Sequence, residues 1–184
     1  MHDQLALTTQ GTLWVHHLFP GGEERPAAMC HNALQNLGCG AAARCLATPG
    51  LSLNRMYLLF AAGSVGSPAQ VPGVAAGTAT LAAVQRADAS YNYCRVPVIH
   101  VATGGEAGYG DNIVTFHGVT EGVATGSGVA FTTGSKLYGA ALACAVSENP
   151  LDDLLFSVAT LDNVVAKVAN AQLGIRWQVR VIKV

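Results

Sequence analysis

Few residues of this chain have the type and spacing for chemistry. The cysteines are Cys30, Cys39, Cys45, Cys94 and Cys144. Structural zinc sites draw on close pairs, with spacers of about two to four residues. Here eight and five residues separate the first three cysteines. Cys30-His31 with Cys39 and Cys45 therefore reads as core packing, in which a free cysteine behaves as a small hydrophobe. Cys94 with His100 or His117 comes nearest to a nucleophile and its base. Such a pair needs an electropositive, partly exposed setting and a positioned imidazole, and the neighbouring residues supply neither. His16 and His17 are adjacent, so on a strand they face opposite ways. The glycine-rich stretch 103–110 lacks the Lys-Ser/Thr and the following helix of a phosphate loop, and reads as a turn. Gly126-Ser127-Gly128 lacks the flanking pattern of a nucleophile elbow. Asp152-Asp153 is too small a set for calcium, which takes about six to eight oxygen ligands; it reads as the solvated start of a strand. No catalytic, metal-binding or cofactor-binding residue is assigned, and the chain is expected to be non-enzymatic.

The elements that hold these residues are mostly strands. Residues 1–27 read as an extended assembly arm. Within it, residues 12–19 have the aromatic and branched residues of a strand, and Pro20-Gly21-Gly22 stops it. Unpaired, such a strand is an aggregation hazard; added to a neighbour's sheet it is an assembly device. Leu13, Trp14, Val15, His16, His17, Leu18 and Phe19 are its candidate contacts. Residues 28–47 are expected to form an amphipathic helix, since Cys30, Leu34, Leu37, Ala41 and Cys45 recur at spacings of four, three, four and four. Gly38 and Gly40 weaken it by about 1 kcal/mol each.

Beyond residue 50 the period becomes two. Strands are expected at 54–61, 91–100, 112–119, 129–133, 136–146 and 154–160. A long Gly/Pro/Ala loop is expected at 62–80 and a short helix at 80–86. The last strand is the clearest. Leu173, Ile175, Trp177, Val179 and Val181 share one face, and Gly174, Arg176, Gln178 and Arg180 the other. A one-residue slip would bury Arg176 and Arg180, so its register is well specified. Many short strands between turns predict a mainly β (α+β) protein: an antiparallel β-sandwich over 28–184 with the helix at 28–47.

Composition sets the context. Of 184 residues, 51% are hydrophobic and only 11% charged, against about a quarter charged in ordinary soluble domains. Such a chain is expected to cover its surface against copies of itself or a companion. No apolar run approaches the roughly 20 residues of a spanning helix, so membrane insertion is not expected. Ten Lys and Arg are dispersed and the net charge is -1, so neither is nucleic-acid binding. The odd cysteine count argues against a disulfide framework. Met1-His2-Asp3 begins no secretion signal, and synthesis in a host cytoplasm is expected.

The C-terminal order has a familiar pattern. Tyr93-Cys94-Arg95-Val96-Pro97 is followed by Asn112-Ile113-Val114-Thr115-Phe116, a strand over 139–146, Leu154-Leu155-Phe156-Ser157, and Gln172-Leu173-Gly174-Ile175-Arg176-Trp177. With the helix at 28–47 and the core run Met56-Tyr57-Leu58-Leu59-Phe60, this resembles small tailed-bacteriophage virion proteins of the tail-fibre or collar type. The resemblance spans residues 28–184 and departs in the loop at 62–80 and in the lack of a fibre repeat. It implies a virion structural protein, tail-associated as a fibre or attachment module, with copies of itself and other virion proteins as partners and no cofactor. Capsid decoration or cement, and a carbohydrate- or receptor-binding module, are the alternatives. Arg176 and Arg180 are further candidate contacts.

Overall fold

The computed structural model describes residues 7–33, 42, 45–61, 92–107, 109–120 and 131–183. Eight strands occupy most of them: β1 (Leu7–Leu18), β2 (Glu24–Ala33), β3 (Leu53–Ala61), β4 (Asn92–Val101), β5 (Ile113–Val119), β6 (Lys136–Cys144), β7 (Leu154–Ala166) and β8 (Gln172–Lys183). All pairings are antiparallel, in the order β2-β1-β8-β5-β4-β3-β6-β7. The two outermost strands, β2 and β7, approach each other, and the sheet is nearly a barrel. Among the described residues no helix is long and apolar enough to cross a membrane.

The alternation of apolar residues explains the curl. Each strand sends its inward set to one shared core: Leu13 and Val15, Cys30, Met56 and Leu58, Cys94 and Val96, Phe116, Leu142, Phe156, and Ile175 with Trp177. A sheet with one apolar face must cover it, and rolling it on itself does so without a second layer. The result is one sheet in place of the expected two-sheet sandwich. Period-two patterning is the same in both architectures, so it does not tell them apart. On the β4-β3-β6-β7 half the outer face is apolar as well, with Tyr57, Leu59, Tyr93, Tyr138, Ala141 and Leu155 buried.

Three expectations need correction. The helix at 28–47 is not found over residues 28–33, which belong to β2. Ala28 and Cys30 pack inward there while Met29 and His31 are exposed, so the same residues satisfied a period of two. Residue 42 and residues 45–47 are helical; positions 34–41 and 43–44, with Leu34, Leu37 and Ala41, lie outside the described residues. The strand expected at 129–133 is not one at 131–133, where the chain turns. The loop at 62–80 and the helix at 80–86 also lie outside the described residues.

The third correction concerns the arm. β1 pairs with β2 from Gln10↔Ala33 to Leu18↔Glu24, and with β8 from Leu7↔Lys183 to Leu18↔Gln172. Both of its hydrogen-bonding edges are filled, and Leu13 and Val15 are completely buried. It is an inner stave, with no open edge to lend a neighbour. Deleting residues 1–20 therefore removes a stave and abolishes cooperative thermal unfolding followed by circular dichroism. A detachable arm would leave a folded body.

Candidate functional site

The best-organised polar surface lies outside the β2-β1-β8-β5-β4 arc. Register alone places it: Met29 opposes Trp14, Trp14 opposes Arg176, Arg176 opposes His117, and His117 opposes His100. Five side chains on five strands thus form one row. Alongside it, Thr12 opposes both His31 and Gln178, and Gln178 opposes Thr115. Thr12 Oγ1 lies 3.2 Å from His31 Nδ1, and Gln178 Nε2 donates to Thr115 Oγ1 at 3.5 Å.

Charges along the row are mutually engaged. Arg176 Nη2 donates to both carboxylate oxygens of Glu24, at 2.9 and 3.0 Å. Both side chains are well exposed, so the pair contributes at most about 1 kcal/mol. His16 Nδ1 stands 2.9 Å from Glu24 Oε1 but off the line of a hydrogen bond. Burial lowers the pKa of His16, Glu24 opposes that, and Arg176 adds to it. His117 is lowered by burial and then by Arg176 and His100, against Glu106. Its ring centroid lies 5.5 Å from that of His100. His100 Nε2 lies 3.1 Å from Glu106 Oε2. The Glu106 carboxylate is held low by the Thr103 backbone N–H and hydroxyl, at 2.6 and 3.1 Å, and by His100. A shallow groove of about 140 Å³ runs between His16, Glu24, Ile99, His117 and Arg176.

The residues singled out from sequence divide by face. Leu13 and Val15 are core; Trp14, His16 and Leu18 belong to the outer face, and Leu18 covers Gly174, where a Cβ would lie 2.9 Å from Leu18 Cδ1. His17 points the other way from His16, with Nε2 3.2 Å from the Ala166 carbonyl oxygen. Phe19 carries the Arg25 guanidinium 4.8 Å over its ring. With Phe131 and Lys167 it lines an end cleft of about 500 Å³. Arg176 and Arg180 share the outer face as alternation required, Arg180 four residues along and opposite Ile113 and Gln10.

The structure separates the Cys94 pair. Cys94 is buried in the core, and burial pushes its thiol up to about 11; His100 and His117 lie on the outer side of the sheet. Cys30 is likewise buried and pushed up to about 11, by burial and then by Asp162 on β7. Among the described residues no group of three His, Cys, Asp or Glu side chains is placed to hold a metal ion.

Sequence reasoning missed Asp153. It is completely buried, not solvated. Arg55 Nη1 reaches both of its oxygens at 3.0 Å, and the Tyr57 hydroxyl donates to Oδ2 in a short hydrogen bond. Burial, then the bond and charge of Asp153, push the Tyr57 phenol well up. The Tyr57 ring meets Tyr93 edge-on at 5.7 Å. The available signal was the alternation of Arg55 and Tyr57 with the apolar residues of β3, which puts both on one face. No family model matches the chain, and no curated protein or solved structure matches it either.

Two outcomes follow. Asp153→Ala strands the Arg55 charge and costs about 3–5 kcal/mol, read from urea denaturation. At neutral pH a soluble maleimide labels Cys30, Cys94 and Cys144 slowly in the folded protein and rapidly in denaturant, because burial raises all three thiols, Cys144 to about 12 with Cys45 as its further cause.

Proposed function

We propose that this chain is a non-enzymatic structural protein of a tailed-bacteriophage particle. It is tail-associated as a fibre or attachment module and works through contact with copies of itself and with other virion proteins. The reading begins from the resemblance of residues 28–184 and from a composition too poor in charge to cover an isolated surface. The observation that carries the assembly role is the row Met29-Trp14-Arg176-His117-His100. Met29, Ile99 and Val101 are exposed apolar side chains on or beside it. Met, Trp and Arg are the residues enriched at protein interfaces, where Lys, Glu and Asp are depleted.

The dimensions of the face limit what it does. Five strands about 4.8 Å apart span roughly 20 Å, and the length of β5 adds roughly 24 Å. The flat area is about 500 Å², against about 800 Å² per partner in a standard interface. The row is then the centre of a contact, with the rim supplied by neighbouring turns. Residues 12–18 have no free edge for adding a strand to a neighbour, since β1 is paired on both sides.

Sedimentation of the intact protein tests the contact. The wild-type chain sediments as an oligomer, and Met29→Asp with Ile99→Asp weakens association by about tenfold or more, roughly 1.4 kcal/mol, without lowering cooperativity of unfolding. A wild-type chain that stays monomeric at high concentration overturns the assembly role. Proteomics of gradient-purified particles of the encoding virus tests the location; absence of the chain from them overturns the virion reading.

A further inference from the structure

The strands fall into two groups, β2-β1-β8-β5 and β4-β3-β6-β7, joined on one side by β4 and β5. This joint is short and bulged. Its register holds Val98↔Gly118, His100↔His117 and Val101↔Phe116, with a break between Val98 and His100. One more bond, from the Ala102 N–H to the Thr115 carbonyl at 2.9 Å, extends it. By contrast β1 and β8 pair without interruption from Leu7↔Lys183 to Leu18↔Gln172. At the middle of the joint sits a pair of imidazoles, directly opposed across the two strands.

We propose that the β4–β5 joint is acid-sensitive: charging His117, directly opposite His100, loosens it while the pairing within each group of strands holds. The proposal stands apart from the virion reading. The groups that face His117 are His100 from β4, Glu106 from the turn after β4 and Arg176 from β8. Farther along the face lie His16 on β1 and Glu24 on β2. With neutral imidazoles, Glu24 balances Arg176 and the row is quiet. In acid, a charged His117 faces unfavourable neighbours on both flanking strands, Arg176 and His100. Glu24 already spends both oxygens on Arg176. Glu106 is in contact with His100 and anchored by Thr103. Among the described residues no carboxylate makes an ion pair with His117. Like charges directly opposed across strands are destabilising.

The direction of the effect follows from linkage. His117 is held below its ordinary 6.5 by burial and by its cationic neighbours. A strand joint that opens to water returns the ring to its ordinary proton affinity, so protons favour the open form. The closed joint keeps its full stability above about pH 6.5 and loses it as the pH falls through the lowered value. At Gly118 no side chain of β5 reaches across the joint, and the backbone itself approaches Val96 and Pro97 of β4.

Hydrogen–deuterium exchange on the intact chain, corrected for intrinsic exchange rates, tests the joint. Between about pH 7.5 and about pH 5.5, amides bridging β4 and β5 should exchange several-fold faster, the direction set by the lowered pKa of His117. Those of β1–β8 and β6–β7 should be unchanged. His100→Gln with His117→Gln should keep the joint protected at the lower pH, with near-ultraviolet circular dichroism reporting that the variant is folded. If the double variant does not fold, His100→Gln at its exposed position must still blunt the change. Exchange that does not accelerate, that accelerates equally in every strand, or that is the same in the histidine variants overturns the proposal.

Discussion

β5 can reach β4 because position 118 has no side chain, and the closed arrangement of the sheet depends on that approach. A Cβ at Gly118 would lie 2.8 Å from Val96 Cγ1 and 3.1 Å from the Pro97 carbonyl oxygen. The first neighbour is a buried side chain and the second is backbone, so neither yields cheaply. With the strands in contact, Phe116 is brought opposite Val101, and the cores of the two strand groups become one. The same approach sets His117 against His100 on the other face.

A second constraint works on the β4-β3-β6-β7 half. Its strands are apolar on both faces, and β6 is buried along nearly its whole length. Only packing specifies which way such a strand lies, because neither face prefers water. Asp153 supplies a polar reference point. A buried carboxylate is tolerable only when its oxygens are satisfied, and Arg55 and Tyr57 on β3 satisfy them from across β6. A misplaced β7 would leave that charge unpaired. The stability such a triad adds is small once desolvation is counted; its contribution is to penalise the wrong arrangement.

The outer face of the other half is built differently. It is held by register, with each side chain placed by the ladder beneath it. Exposed ion pairs there add little to stability, so its composition is free to serve contact. The histidines are the exception, since their charge depends on pH and their neighbours are fixed by the same ladder.

Much of the strand content was legible in the residues. Period-two alternation located β4, β5 and β8 and assigned Ile175 and Trp177 to the core face, because a strand fixes facing by position alone. It also put Arg176 and Arg180 on one outer face. Local pattern failed at residues 28–33, where small and apolar residues fit a period of 3.6 or of two. It failed at Asp153, whose partners lie nearly a hundred positions away on β3. Strand order, the filling of both edges of β1, and the meeting of His100 with His117 are decided by which strands pair. Pairing is a contact between distant segments, and alternation along one segment carries no information about its neighbour.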